Sequence, residues 1–247
     1  MRHPLIAGNW KMHGSQASAR QLLTDLVGQP IAGKADVAVC PAYVHLTQIL
    51  ELTASASISV GAQDCSHMDS GAFTGEVSPP MLKDLGCEWV IIGHSERRQY
   101  HLESDELIAA KVKAAVAASL KPIVCVGETQ QEREDGEAQT VVARQLMGAL
   151  GVQPDLTGLV VAYEPVWAIG TGLTATPAEA QEMHAFIRGQ LAAIAGAEPE
   201  DTRILYGGSV KSSNAAQLFA QEDIDGALVG GAALDAGEFA CIIAAAA

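Results

Sequence analysis

Basic and aromatic residues are scarce in this chain of 247 residues. It holds 15 lysines and arginines against 29 aspartates and glutamates, a formal net charge of −14, and only 4% of its residues are aromatic. A field of this sign repels phosphodiester backbones and anionic lipid surfaces, so nucleic acids and membranes are poor partners. A small anionic ligand is compatible with the sequence only if positive groups gather locally at its site.

Signals for disulfides, structural zinc and membrane anchoring are lacking as well. The five cysteines are an odd number and include no Cys-x-x-Cys pair, which favours reduced thiols. No apolar run approaches the roughly 20 residues that span a bilayer, and the apolar stretch near the N-terminus is too short for a signal peptide. We therefore predict a cytoplasmic protein without a bound metal.

Short apolar runs are present throughout the chain, separated by longer stretches with helical periodicity. The runs are rich in β-branched residues and nearly continuous in apolarity, which is typical of strands buried on both faces of a parallel sheet. The predicted strands are Leu5–Asn9, Asp36–Cys40, Ile58–Ala62, Glu88–Gly93, Pro122–Gly127, Leu159–Glu164, Arg203–Gly208 and Gly226–Gly231.

Helix starts follow several of these runs. Thr176, Pro177 and Glu179 form a capping box with proline in the first turn, and Ser104 is a cap before two acidic residues. Eight strand–helix units without a linker predict the α/β class and one (β/α)8 barrel (TIM barrel) as a single domain over residues 1–247. A doubly wound open sheet is the alternative, although it more often has fewer strands.

Polar residues follow three of the predicted strands. Asn9 ends the first strand and Lys11 follows it, His94 and Glu96 follow the fourth, and Glu164 ends the sixth. Active sites of such barrels form at the carboxyl ends of the strands. We therefore expect these side chains to share one rim of the barrel.

Glu164 is the only charged residue between Ala162 and Thr176. Apolar surroundings disfavour the charged form of a carboxyl group, so we expect its pKa to rise towards the working range of a general base. A solvated glutamate at a strand end is the alternative, and the position at the barrel rim favours the base.

The neighbouring His94 and Lys11 have several interpretations. His94 is either a core histidine or an acid or electrophile. If Ser95 begins a helix, its positive end favours the neutral imidazole. Lys11 could be a Schiff-base nucleophile, an anion binder or a surface lysine, and its place at the rim favours anion binding. The other six histidines show no paired metal-ligand spacing and are interpreted as structural or surface residues.

Glycine pairs follow the last two predicted strands, in "YGGSV" and "LVGGA". Loops after the seventh and eighth strands of a barrel commonly bind phosphate through backbone N–H groups, and Ser209 adds a hydroxyl. Two tight turns are the alternative. Gly170–Ala175 matches the dinucleotide pattern G-x-G-x-x-A, but the helix begins only at Thr176 and not directly after a strand, so we predict no cofactor.

Seven motifs in order resemble the triosephosphate isomerase family, from Gly8 to about Leu234. They are "GNWKM", "GAFTGEVS", "GHSERR", "CVGET", "AYEPVWAIGTG", "YGGSV" and "LVGGA". The resemblance implies reversible interconversion of dihydroxyacetone phosphate and D-glyceraldehyde 3-phosphate by proton transfer through an enediolate. This reaction belongs to glycolysis and gluconeogenesis and requires neither cofactor nor metal.

The resemblance also implies roles for individual residues. Glu164 matches the base, His94 the electrophile and Lys11 the cation near the substrate. Further substrate contacts match Asn9, Gly170, Ser209, Gly230 and Gly231, and supporting residues match Glu96 and Cys125. The lid over the site corresponds to Pro165, Val166, Trp167, Ala168, Ile169, Thr171 and Gly172.

A homodimer is implied in the same way. The loop after the third strand would reach a second subunit, with Thr74 near the partner's site and Glu76 able to meet Arg97. His13 and Asp235 depart from the family pattern, and we expect Asp235 to face solvent at the start of the last helix. Two alternatives stay open: a lyase that uses Lys11 as a Schiff base, and a phosphate-binding protein without catalysis.

Overall fold

Eight parallel strands form a closed barrel in the order of the chain. The computed structural model describes residues 2–31, 35–153, 155–169 and 174–246. The strands β1 to β8 are Leu5–Asn9, Asp36–Cys40, Ser59–Ala62, Trp89–Ile92, Lys121–Val126, Val160–Tyr163, Arg203–Tyr206 and Gly226–Val229. The predicted (β/α)8 barrel is confirmed, and the open sheet is not observed among the described residues.

Helices surround the barrel, and several of them begin at a side-chain cap. The predicted start at Thr176 is confirmed, since its hydroxyl accepts the Glu179 N–H and the Glu179 carboxylate accepts the Thr176 N–H. Ser104 caps its helix as predicted. The helices α1 to α10 are Gln16–Val27, Leu46–Thr53, Pro79–Leu85, Ser95–Tyr100, Asp105–Ala117, Gln130–Glu134, Ala138–Leu150, Pro177–Leu191, Ser212–Phe219 and Ala236–Ala245.

Apolar side chains fill both the inside of the barrel and the layer between strands and helices. Along β1, Leu5 and Ala7 face the interior whereas Ile6 packs in the outer layer. Trp89 lies at the amino end of the interior and donates its Nε1–H to Ser59 Oγ at 2.8 Å. The interior is therefore a packed core, and polar chemistry is confined to the loops at its carboxyl end.

The pairing of β1 with β8 closes the barrel. Gly226 has φ of +129°, and a Cβ there would lie 2.0 Å from the carbonyl oxygen of Leu5, so only glycine lets the two strands approach. Arg2 Nε donates to Asp225 Oδ1 at 2.6 Å beside this seam, and Asp225 Oδ2 accepts from the buried Arg188 at 2.8 Å. Among the described residues, no helix is both long and apolar enough to cross a membrane.

Candidate active site

Glu164 directly follows β6 and is buried, with 2% of its surface exposed. Its Oε1 lies 2.9 Å from His94 Nε2, and its Oε2 accepts the backbone N–H of Ser95 at 2.8 Å. Both partners belong to the start of α4, after β4. The fold therefore brings together His94 and Glu164, 70 positions apart in the chain, because only β5 separates β4 from β6 in the barrel.

The environment lowers the pKa of Glu164, contrary to the expectation from sequence. Burial by itself raises this pKa, but the His94 ring, the Ser95 amide and the Lys11 ammonium stabilise the carboxylate and bring the pKa below 4.5. The expectation was wrong because it considered only the burial of the carboxyl group. The carboxylate instead faces polar groups from the β1 and β4 ends.

His94 is held in one orientation by α4. Its Nδ1 accepts the backbone N–H of Glu96 at 3.2 Å, so in the neutral ring the proton is on Nε2 and points at Glu164. Burial lowers the pKa of His94, but the carboxylates of Glu164 and Glu96 outweigh it and raise the pKa above 6.5. This direction is opposite to the preference for the neutral imidazole that we expected from the start of α4, because two carboxylates face the ring. With Nδ1 accepting the Glu96 N–H, the ring presents its Nε2–H to the site as a hydrogen-bond donor.

Lys11 has a left-handed backbone, with φ of 51°. Asn9 Oδ1 accepts its N–H at 3.0 Å, and Gln63 Nε2 donates to its carbonyl oxygen at 2.8 Å. Its Nζ lies 2.6 Å from Glu96 Oε1. Such conformations are costly for residues other than glycine and are maintained only by surrounding contacts. The contribution of Gln63 was missed, since nothing near it in the sequence indicates it.

A cavity of about 650 Å³ lies at the carboxyl end of the barrel, and Asn9, Lys11, His94 and Glu164 line it. The glycine loops after β7 and β8 form its other wall. Of the predicted site residues it brings together Asn9, Lys11, His94, Glu164, Ile169, Ser209, Gly230 and Gly231. The predicted phosphate contact at Gly170 lies outside the described residues.

Three polar residues in the cavity wall were not predicted. His13 is exposed, as expected of a surface histidine, and it also lines the cavity. Lys211 and Glu238 lie at the glycine side. Asp235, in contrast, is exposed and caps α10 by accepting the Glu238 N–H at 2.8 Å, as expected.

The glycines of the cavity wall allow the backbone to approach functional side chains. A Cβ at Gly207 would lie 2.9 Å from Glu164 Cγ, and one at Gly230 would lie 3.5 Å from Lys11 Cε. The backbone after β8 thus runs close beside the lysine stem. A chain of amide groups next to an ammonium is suited to an anionic group.

Two supporting residues contact the polar cluster. Cys125 on β5 is buried, and burial together with the Glu164 carboxylate raises its thiol pKa well above the usual value. Glu96 Oε2 lies 3.7 Å from His94 Nδ1, while Oε1 pairs with Lys11. In the described part of the chain, no group of three or more His, Cys, Asp or Glu side chains is arranged to hold a metal ion.

The model of the triosephosphate isomerase family matches residues 4–246. The chain belongs to the triosephosphate isomerase family. It is 53% identical to the triosephosphate isomerase of Ectopseudomonas mendocina, covering all of this chain and 99% of the relative. It is 55% identical to that of Moorella thermoacetica, covering 98% of each chain, and 54% identical to that of Thiobacillus denitrificans over the full length of both. The family predicted from the motifs is confirmed, and with it the assignment to an isomerase.

The segment predicted as the lid begins at Pro165. Val166–Ala168 is a short 3-10 turn, and Trp167 donates its Nε1–H to Glu128 Oε1 at 2.8 Å. The Arg133 guanidinium lies 4.4 Å from the Trp167 ring centroid. Glu128 is fully buried and was not identified from the sequence. Thr171 and Gly172 lie outside the described residues.

The residues predicted to contact a partner subunit lie away from the cavity. Thr74 and Glu76 are exposed on the loop after β3. Arg97 is engaged within its own chain, with Nη2 2.9 Å from Asp64 Oδ2 and Nε 2.7 Å from Glu103 Oε1. These ion pairs hold Arg97 at the edge of the exposed loop.

Proposed function

We propose that this chain interconverts dihydroxyacetone phosphate and D-glyceraldehyde 3-phosphate, in glycolysis and gluconeogenesis. The observation that carries the proposal is the convergence of Glu164, His94 and Lys11 on one cavity whose opposite wall consists of glycine loops. A base, a hydrogen-bond donor and a cation are what proton transfer beside a carbonyl group requires. The glycine loops supply a place for the phosphate.

The phosphate would be held first. Backbone N–H groups at Ser209, Gly230 and Gly231 would cradle its oxygens, and the Lys11 ammonium would attract its charge. Phosphate anchored at this wall leaves the carbon chain pointing towards Glu164. Positioning of this kind removes much of the entropic part of the barrier.

Proton transfer would then proceed from carbon to carbon. Glu164 removes the proton from the carbon next to the carbonyl, the electrons of that C–H bond form the C=C bond of an enediolate, and the carbonyl oxygen takes the negative charge. His94 Nε2–H and the Lys11 ammonium stabilise that oxygen. The hydroxyl proton of the first carbon would then pass to the enediolate oxygen by way of His94, Glu164 returns its proton to the neighbouring carbon, and the first carbon becomes the new carbonyl group. A positioned base typically contributes about 10²–10⁴-fold, and stabilisation of the oxyanion a comparable share.

The hydrogen bonds of Glu164 define what must change when substrate binds. Its Oε1 accepts from His94 Nε2–H at 2.9 Å. When a substrate oxygen accepts this N–H instead, the carboxylate is free to remove the proton from the substrate carbon. Loss of that bond also removes a group that lowers the Glu164 pKa. Substrate binding would therefore make the carboxylate a stronger base at the moment of reaction.

The segment from Pro165 to Gly172 would act as the lid. Ile169 already lines the cavity and Ala168 is buried, so an apolar surface is available to exclude water from the enediolate, which loses phosphate when water enters. Structures with and without a phosphate ligand should place this segment differently. An unchanged segment would count against the lid.

A homodimer would cover the exposed apolar side chains at the ends of β1 to β4. Because these strands are neighbours, the loops that follow them lie on one side of the barrel mouth, and exposed apolar patches of this kind mark interfaces. The side chains are Met12 (95% exposed), Val44 (80%), Phe73 (40%), Tyr100 (71%) and Leu102 (84%). Thr74 would then approach the partner's cavity, and Glu76 would meet Arg97 of the partner subunit.

Two further parts of the proposal concern the whole chain. Residues 1–247 would form a single domain, because the strands follow one another around one barrel. All five cysteines are free thiols, which fits a reducing cytoplasmic location.

A coupled assay with glyceraldehyde 3-phosphate tests the function directly. We expect turnover by the wild-type chain and its loss in Glu164→Gln. A folded protein without turnover would instead support the phosphate-binding alternative. For the lyase alternative, borohydride is added with substrate. Lys11 Nζ is engaged by Glu96 Oε1 at 2.6 Å, so we expect no covalent adduct. Light scattering measures whether the chain is a dimer.

A further inference from the structure

We propose that Lys211 is a further substrate-binding residue, whose ammonium group attracts the phosphate dianion to the glycine wall of the cavity. This inference rests on the proposed isomerase function and adds to it a residue that sets affinity for the anion. Lys211 lines the same cavity as Ser209, Gly230 and Gly231. It is exposed, so its ammonium group is accessible to an incoming ligand.

The backbone that carries Lys211 is fixed by one side chain. Asn214 Oδ1 accepts the Lys211 N–H at 2.8 Å, and Asn214 Nδ2 donates to the Ser209 carbonyl oxygen at 3.1 Å. Asn214 therefore spans the loop from Ser209 to Lys211 at the start of α9. Asn214 thus fixes the position of the Lys211 backbone relative to Ser209.

Lys211 is not part of a close ion pair in the described part of the chain. The other lysine of the cavity, Lys11, has Glu96 at 2.6 Å. In the ranges that the structure describes, no carboxylate oxygen lies within 4.0 Å of the Lys211 ammonium. Because the chain carries a net charge of −14, the overall field opposes a dianion. Because Lys211 lines the cavity, its positive charge offsets the negative field near the place where the phosphate would bind.

Glu238, a carboxylate on the same wall, is expected to weaken phosphate binding. Glu238 lines the cavity, and its two oxygens accept the N–H and the O–H of Ser212 at 2.7 and 2.9 Å. These bonds hold Glu238 at the first turn of α9, beside Lys211 in the wall. Its negative charge repels an incoming phosphate, so neutralising Glu238 and neutralising Lys211 should shift phosphate affinity in opposite directions.

The alternative interpretation is an ordinary surface lysine, and the chain offers a matched control for it. Lys113 on α5 is also exposed and has no carboxylate within 4.0 Å in the described ranges, but it does not line the cavity. Lys113→Gln removes the same charge from the whole molecule. A difference between the two variants therefore measures the position of the charge and not the net charge.

The experiment measures the competitive Ki of inorganic phosphate together with KM and kcat for glyceraldehyde 3-phosphate. For Lys211→Gln at low ionic strength we expect Ki and KM to rise about four-fold, the effect of losing a unit charge about 10 Å from a dianion in an aqueous medium. The rise should shrink at about 0.15 M salt. We expect kcat to stay within two-fold, Lys211→Arg to restore Ki, Glu238→Gln to lower Ki, and Lys113→Gln to leave all constants unchanged.

Specific outcomes would overturn the inference. If Lys211→Gln has the same phosphate Ki as Lys113→Gln at both salt concentrations, Lys211 is a surface lysine. A fall in kcat with unchanged KM and Ki would indicate a structural role and would also refute it. If either result is obtained while the wild-type chain turns over substrate normally, only the proposed role of Lys211 is refuted and the proposed isomerase function stands. Absence of turnover and of phosphate binding in the wild type would instead remove the proposed function itself.

Discussion

Replacing Gly207 with alanine should displace the base without unfolding the barrel. Gly207 follows β7, and a Cβ there would lie 2.9 Å from Glu164 Cγ and 3.0 Å from the carbonyl oxygen of Tyr163. Gly207 is not among the glycines with a positive φ, so its backbone accepts alanine. Its N–H donates to that Tyr163 oxygen at 2.7 Å, which holds the two backbones together. The Glu164 side chain is therefore the part that yields.

The size of the effect follows from the displacement. Ordinary contacts begin at 3.4 Å, so Glu164 must retreat by about 0.5 Å. A misplacement of 1 Å at a reacting centre costs roughly 10²-fold in rate. We therefore expect a fall in kcat of about tenfold, equivalent to about 1.4 kcal/mol of barrier, with KM within about threefold of wild type because the phosphate wall is retained.

The assay is steady-state turnover of glyceraldehyde 3-phosphate, with circular dichroism as a check of folding. Gly189→Ala is the matched control, because Gly189 lies within α8 and a Cβ there meets nothing within 4 Å. We expect this control to keep wild-type kcat and to gain about 0.5–1 kcal/mol of stability. A folded Gly207→Ala protein with kcat within twofold of wild type would refute the reasoning about the Gly207–Glu164 contact.

Three further predictions concern Glu164, Lys11 and His184. In Glu164→Asp the carboxylate retreats by about 1 Å, so kcat should fall roughly 10²-fold with an intact fold; near-normal kcat would contradict its role as base. Lys11→Met should abolish useful binding of the phosphorylated substrate, and unchanged KM and kcat would rule out its role. Burial lowers the pKa of His184 to about 4. Its contribution of about 3 kcal/mol to the free energy of unfolding is therefore complete above pH 6.5 and lost as the pH falls towards 4; an NMR titration of His184 near pH 6.5 would contradict this.

The strands could be predicted closely because their signal is local. The predicted Leu5–Asn9 and Asp36–Cys40 coincide with β1 and β2, and the other predictions overlap their strands with small differences at the ends. Those differences arise largely where glycines were included, as in Arg203–Gly208, because glycine after a strand belongs to the loop at the cavity. Element order and short connections then leave few arrangements of the sheet besides a closed barrel.

Most residues of the site could be predicted from the sequence, but the direction of the Glu164 pKa could not. Strand ends placed Asn9, Lys11, His94 and Glu164 on one rim, since parallel strands share that edge. The direction of the Glu164 pKa was wrong because it depends on partners that are distant in sequence. Lys211 and Glu238 were missed for a related reason: each has the composition of an ordinary surface residue, and only tertiary packing turns it towards the cavity.

The seam between β1 and β8 has a consequence for synthesis of the protein. It joins the two ends of the chain, as the bond between Arg2 and Asp225 across 223 positions shows. Lys11 follows the first strand and the glycines of the phosphate wall follow the last. A ribosome-bound chain therefore has no complete site until β8 has emerged and docked beside β1. A nascent or truncated chain that lacks β8 would already contain Lys11, His94 and Glu164 but would not isomerise the substrate.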